Sequence, residues 1–259
     1  MPEYIGGKAF HSLSKWPYCS RNRFFVLPEH VQENDIIFLN LDDFDNFMIV
    51  IRSNPPRHKF ILITYNSDKP FTDNHYRHLC DFTSKIYSQN NTVYWTDAVQ
   101  TIPIGFRDWP HDTISVIKGI KEEKKDILLY MNFCIDTNIS KRQECFDTFT
   151  SESWVTKESG VPMEEFYKSI AASMYVLSPE GTGIDCHRIY ESMYLDAIPI
   201  VKTSLLDPFY KKLPIVIVRE WTEITEEFLL MNYDILYGKL KSWKERNNWL
   251  DASFWLTFK

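Results

Sequence analysis

Glycine is scarce, with 8 in 259 residues, so each one marks a place where the backbone turns or approaches something closely. The five cysteines (Cys19, Cys80, Cys134, Cys145, Cys186) are widely spaced and form no CxxC pair, which excludes a zinc knuckle and a thioredoxin-like motif. They read as reduced, mostly buried thiols of a cytoplasmic protein. No apolar run approaches the about 18 residues of a membrane span, so no transmembrane segment is expected. The opening MPEYIGGKAF has no basic region followed by an apolar core, and so does not read as a signal peptide. Without such a signal, the N-x-[ST] matches at Asn90 and Asn138 read as coincidence. A basic excess is also missing: 29 Lys and Arg face 35 Asp and Glu, for a net charge of -6 and a pI of about 5.7. Nucleic acid is therefore not an expected partner. The basic runs at 121–125 and 239–246 are interleaved with Glu or apolar residues and read as solvated helix faces.

What remains is globular. Hydrophobic residues make up 44%, charged residues 25% and aromatics 15%. The length fits one large domain or two small ones, enough to bury a core without disulfide or metal staples. Apolar strand-like runs alternate with amphipathic stretches. Strands are expected at 35–40 (DIIFLN), 59–65 (KFILITY) and 101–104, and helices at 41–53 and 73–85. This βαβα pattern is that of a parallel sheet covered by helices.

A polar stretch at 112–125, expected to be helical, marks the domain boundary and divides the chain into 1–115 and 116–259. The second half alternates again. Strands are expected at 127–133, 174–177, 198–201 and 214–218, with helices at 140–148, 162–172, 185–195 and 208–212. A tail of two helices rich in Trp, Leu and Phe follows, over 222–258. No fixed-period repeat or low-complexity segment is present.

Chemistry concentrates at 173–202, SMYVLSPEGTGIDCHRIYESMYLDAIPIVK. A buried strand runs into a loop with Glu180, Gly181, Thr182 and Gly183, and a helix is expected from Asp185. Two glycines at i and i+2 let the backbone approach a ligand closely. The helix start presents unpaired N–H groups and the positive dipole end, which suits a diphosphate. Arg188, one turn in, adds a charge-assisted contact. Glu191 is placed to accept ribose hydroxyls. Each residue also has a plainer role. Asp185 is a good N-cap, Arg188 and Glu191 form an i,i+3 ion pair, and the glycines shape a turn.

SPEGTGIDCHRIYESMYLDAIPIV resembles the nucleotide-sugar-binding segment of exostosin-like (family 47-like) glycosyltransferases, in which a strand, a Gly-containing loop, an Arg-bearing helix and an IPI strand follow in this order. ILITYNSD (61–68), SQNN (88–91) and IPIGF (102–106) look like the N-terminal half of small members, including those encoded by large DNA viruses of algae. The resemblance implies an α/β fold of GT-B type: two Rossmann-like domains facing across a cleft, with a short acceptor-side N-terminal domain and a donor-binding C-terminal domain. It implies a UDP-sugar donor, a glycan or glycoside acceptor, inversion and no metal cofactor. A viral origin places the enzyme in host cytoplasm, and a xylosyl donor follows from that likeness alone. The chain departs from the family pattern in showing no membrane anchor, and in having Glu180 where many relatives carry Arg.

Such a transfer must stabilise charge on the leaving phosphate and remove a proton from the attacking hydroxyl. The helix start at Asp185, Arg188 and Arg142 are candidates for the first role; Arg142 reads equally as a solvated helix residue. For the second, Asp68 and Asp73, after strand 59–65, are the expected general-base pair. Asn66 and His11 are candidates to hold the acceptor. Asp43-x-Asp45 invites a metal site, but acidic residues at a helix start explain it without one. Exposed Trp95, Trp109 or Trp221 could stack on sugar rings. The competing reading is a non-catalytic nucleotide- or sugar-binding module on the same fold. Oligomeric state is not legible.

Overall fold

A computed structural model of the chain describes residues 4–19, 26–107, 113–121 and 123–258. The chain divides into two compact units, residues 1–104 with 249–259, and residues 105–248. The boundary expected at 115/116 moves eleven residues earlier, and the end of the tail returns to the first unit. Trp109 and Asp112 lie outside the described residues.

The first unit is a five-stranded parallel sheet in the order β1-β2-β3-β4-β5. Its strands are β1 (Trp16–Tyr18), β2 (Ile36–Asn40), β3 (Phe60–Tyr65), β4 (Thr83–Ser88) and β5 (Val99–Thr101). Sequential order with right-handed crossovers puts the intervening helices on one face. There α2 (Phe44–Ser53) and α3 (Asp73–Leu79) cover the register line Ile37, Leu62, Ile86, Val99. The opposite face carries Phe38, Ile63, Tyr87 and Gln100 in register. It is closed by α1 (Gly7–Ser12) and α10 (Ala252–Trp255). Phe10 packs at a tilt against Tyr65, with ring centroids 5.1 Å apart and planes at 37°. Tyr87 donates to the Leu256 carbonyl, and Gln100 donates to those of Trp255 and Phe258. That bare face explains why the tail comes back.

The helix expected over 73–85 stops at Leu79. Residues 83–88 form β4 instead, because Ile86 and its neighbours complete the sheet beside β3. The strand expected at 101–104 is β5, two residues earlier.

The second unit is also a five-stranded parallel sheet, in the order β10-β9-β8-β6-β7. Its strands are β6 (Ile127–Met131), β7 (Val155–Lys157), β8 (Ser173–Leu177), β9 (Ile198–Lys202) and β10 (Val216–Val218). From β6 the chain steps outward to β7, then returns across β6 to β8. Right-handed crossovers then place α5 (Ile139–Phe149) on one face, and α6 (Met163–Ala171) and α7 (His187–Tyr194) on the other. Two contacts agree: Tyr167 of α6 donates to Glu191 of α7 at 3.0 Å, while Phe149 of α5 packs edge-on to buried Trp221. Trp221 is therefore core and presents no ring for stacking. The helix α4 (Thr113–Gly119) is shorter than the expected 112–125. After α8 (Asp207–Tyr210) and β10 comes α9 (Glu226–Arg246), 21 residues long. Among the described residues no helix is long and apolar enough to cross a membrane.

Candidate functional site

The reversal of strand order between β6 and β8 opens a crevice at the carboxyl ends of those two strands, where open α/β sheets bind ligands. Two segments meet there: residues 132–138 after β6, and residues 178–186 after β8. Arg142, from the second turn of α5, joins them. Its Nε donates to the Glu180 carbonyl at 2.9 Å and its Nη1 to the Cys134 carbonyl at 2.8 Å. Asn138 adds a bond from Nδ2 to the Gly181 carbonyl at 2.7 Å. Gly181 is needed for this approach, because a Cβ there would sit 3.0 Å from Arg142 Nη2. Arg142 is thus a buried clamp, 7% exposed, and not a solvated helix residue.

Arg188 arrives from the opposite face, in the first turn of α7. Both guanidinium groups stand over the Phe133 ring, with Cζ 5.8 Å from its centroid for Arg142 and 5.9 Å for Arg188. Arg188 Nε is buried and has no hydrogen-bond partner among the described residues. Burial, and then the Arg188 charge, hold the Arg142 pKa below the usual range. Two like charges that both contact one ring and repel each other, one with an orphaned donor, cost stability unless an anion joins them. Glu180, half-buried in the same loop, has its carboxyl pushed up by burial, with Lys141 pulling it back.

Asp185 behaves differently from expectation. The helix begins two residues later, at His187. Cys186 is its N-cap, and no side-chain cap bond is made. The Asp185 carboxylate is buried, 3% exposed, and turned into the protein. It accepts from Tyr190 at 2.7 Å, from Tyr210 at 2.9 Å and from the Cys186 N–H at 3.0 Å. It fixes the loop and does not cap the helix. Glu191, also buried, accepts from Tyr167. Thr182 is exposed beside buried Gly183.

The structure thus brings Arg142, Glu180, Gly181 and Arg188 together. Phe133 and Asn138 are the site residues that sequence reasoning missed. An Asn two residues before the helix expected over 140–148, and directly before the helix as it forms from Ile139, was the available signal for Asn138.

In the first unit, Asp68 is exposed after β3. Asp73 opens α3, which is capped by Thr72 in a capping box with His75. The Asp73 carboxylate accepts from Trp95 Nε1 at 2.6 Å. Asn66 takes a left-handed φ of 57°, and its Oδ1 is seated against Gly7. His11 packs edge-on to Phe38 at 5.2 Å. Asp42 of the acidic cluster accepts from Ser67 and faces Lys69.

The sequence profile of the RXYLT1 C-terminal domain matches residues 123–248, just under half of the chain and wholly within the second unit. No curated protein matches significantly. Among solved structures, an alpha,alpha-trehalose-phosphate synthase (UDP-forming) from Burkholderia vietnamiensis superposes with a TM-score of 0.50 at 10% identity, over 87% of this chain and 70% of that one. A GtfA/B complex gives 0.48 at 10% identity, over 86% of this chain and 56% of that one. UDP-GlcNAc 2-epimerase from Methanocaldococcus jannaschii gives 0.39 at 8% identity, over 79% and 70%. The first likeness shows the fold alone: two Rossmann-like halves of the GT-B type.

Proposed function

We propose that the chain is a glycosyltransferase that takes a sugar from a UDP-sugar and passes it to a hydroxyl of a glycan or glycoside. The observation that carries this reading is the pair Arg142 and Arg188 over Phe133, at the switch point of a nucleotide-binding type of sheet. The xylosyltransferase-like profile over the same unit favours UDP-xylose as donor.

In the proposed reaction the acceptor oxygen forms a bond to the anomeric carbon, the bond from that carbon to the diphosphate breaks, and the nucleoside diphosphate leaves with the electron pair. The paired guanidinium groups and the uncapped first turn of α7 hold the charge that grows on it. With two cations already fixed there, the reaction is proposed to run without a metal ion, with inversion. Thr182 and Gly183 give the diphosphate backbone N–H groups, Gly181, whose own N–H donates to the Gly183 carbonyl, gives the close approach, Glu180 and Asp185 shape the loop, and Glu191 serves the ribose. Asp68 is proposed as the base that takes the acceptor proton. Asp73, its carboxylate engaged by Trp95, is the less favoured of the two. Asn66 and His11 remain acceptor-side proposals.

The test is UDP release from UDP-xylose, UDP-glucose and UDP-GlcNAc, with and without a chelator, in the presence of glycoside acceptors. Turnover in the wild type, its loss in Arg188→Ala, and its loss with UDP binding retained in Asp68→Asn would support the mechanism. Nucleotide binding without turnover on any acceptor would favour the binding-module alternative.

A further inference from the structure

Trp95 stands out in the first unit. Its side chain is 64% exposed, and Tyr94 beside it is 39% exposed. Exposed tryptophan is uncommon enough to ask what it serves. The ring is not on a loose segment. Asn91 fixes the chain just before it, donating to the Val93 carbonyl at 3.1 Å and to Thr101 at 3.2 Å, and accepting from the Val93 N–H at 2.8 Å. The Thr92 N–H bonds to the Phe71 carbonyl at 2.9 Å. The indole N–H is held by Asp73 at 2.6 Å, and Tyr76 packs edge-on at 5.2 Å and 82°. The ring orientation is therefore set before any ligand arrives, which lowers the entropy lost on binding.

What the ring presents has a definite chemistry. One polar edge is already satisfied by Asp73, leaving an exposed apolar ring surface bordered by that carboxylate. Asp73 and Asp97 are both exposed nearby, so the rim repels anions. A peptide helix or a lipid surface needs a wide contiguous apolar patch, whereas the exposed apolar surface here is that of Trp95 and its neighbour Tyr94, bordered by the Asp73 carboxylate. A neutral pyranose fits: it has an apolar face of C–H groups and a rim of hydroxyls able to donate to a carboxylate. The ring also lies after β4, and Asp73 after β3, on the carboxyl edge of this unit's sheet, the same edge that carries Asp68.

We propose that Trp95, oriented by Asp73, is a stacking subsite for a neutral pyranose unit of the acceptor. The proposal rests on the acceptor-side reading of this unit. Asp73 then acts as a positioning residue for the indole as well as a partner for sugar hydroxyls.

The experiment is a titration of the full chain with methyl β-xyloside, methyl β-glucoside and xylobiose at up to tens of millimolar. It is followed by the indole N–H resonance of Trp95, assigned by its disappearance in Trp95→Phe. In the variants that lack this resonance, saccharide affinity is read from the backbone amide resonances of residues 94–97, and UDP is titrated separately by calorimetry. Saturable movement of that resonance with at least one saccharide is expected. Affinity should fall about tenfold or more in Trp95→Ala and in Asp73→Asn, and much less in Trp95→Phe. UDP affinity should be unchanged in all three variants. A wild-type protein that binds UDP but moves no Trp95 resonance, or a Trp95→Ala protein that binds saccharide as tightly, overturns the subsite. Saccharide binding at Trp95 without any UDP binding overturns the donor reading and leaves the subsite standing.

Discussion

Arg188→Ala and Arg142→Ala should have opposite profiles, although both remove a guanidinium from one site. Arg142 supplies two hydrogen bonds to loop carbonyls, at 2.9 and 2.8 Å. A hydrogen bond from a charged group is worth about 1.5–3 kcal/mol, somewhat less where the bond is only part-buried as both are here, so Arg142→Ala should lose roughly 2–5 kcal/mol of stability. Arg188 has an unpartnered buried Nε and a ring contact with Phe133 at 5.9 Å. The ring contact is worth ~0.5–2 kcal/mol. Removing Arg188 also relieves its repulsion with Arg142, an effect of similar size. Arg188→Ala should therefore stay within about 1 kcal/mol of the wild type. Its effect should appear on the ligand: a charge-assisted hydrogen bond contributes about 1.5–3 kcal/mol, or roughly a 10- to 150-fold loss of UDP affinity. Thermal unfolding without ligand and calorimetric titration with UDP read the two quantities separately. An Arg188→Ala protein that melts as low as Arg142→Ala and binds UDP undiminished would refute the idea that this guanidinium awaits an anion.

Gly181→Ala should weaken UDP binding several-fold with a small loss of melting temperature, because its Cβ would press on a guanidinium that two carbonyls already pin. Asp185→Asn should lower stability by about 1–3 kcal/mol in urea unfolding, since an amide keeps one acceptor oxygen where tyrosine hydroxyls meet both. Asp196 should contribute stability at neutral pH that is lost in acid. Burial is the largest single influence and raises its pKa, but the hydrogen bonds and charges of Lys244 and Lys241 together outweigh it and leave it below the usual carboxylate range. Burial lowers Lys244 in turn, so the gain of the pair is smaller than Asp196 alone implies. A depressed carboxylate stabilises above its unfolded pKa of about 3.9 and loses that contribution as pH falls through the lower folded value. Asp196→Asn, which also tolerates the left-handed φ of 59° at this position, should melt lower than the wild type at neutral pH. The two melting curves should converge in acid.

The parts of the fold legible in sequence were those fixed locally. Strands β2, β3, β6, β8 and β9 are continuous apolar runs, as buried parallel strands must be. Residues 80–88 were not legible, because Cys80, Thr83, Ile86 and Tyr87 fit a helix face as well as a strand. Pairing of Leu62 with Ile86 decided it, and that is a tertiary fact. β1 and β7 have three residues each and a partner on one side only, too short for periodicity to register. The return of residues 249–259 to the first unit was equally hidden, since nothing in the tail says that a sequentially ordered sheet leaves one face bare.

At the candidate site, the glycine pair and Arg188 were visible because close backbone approach demands glycine, and a cation near an expected helix start is a local pattern. Asp185 misled for the same reason: an Asp before a helix has the local pattern of a cap, while its actual partner Tyr210 lies 25 residues away. The strand order carries what no local pattern can. Because β6 and β8 are neighbours while the chain between them visits β7, α5 and α7 lie on opposite faces, and their arginines can converge only beyond the strand ends. Were the order sequential, as in the first unit, both helices would lie on one face and Arg142 could not clamp the loop after β8 while facing Arg188. The doubling of positive charge over Phe133 is thus a consequence of topology, and the proposed diphosphate, placed in the crevice, would turn that repulsion into attraction.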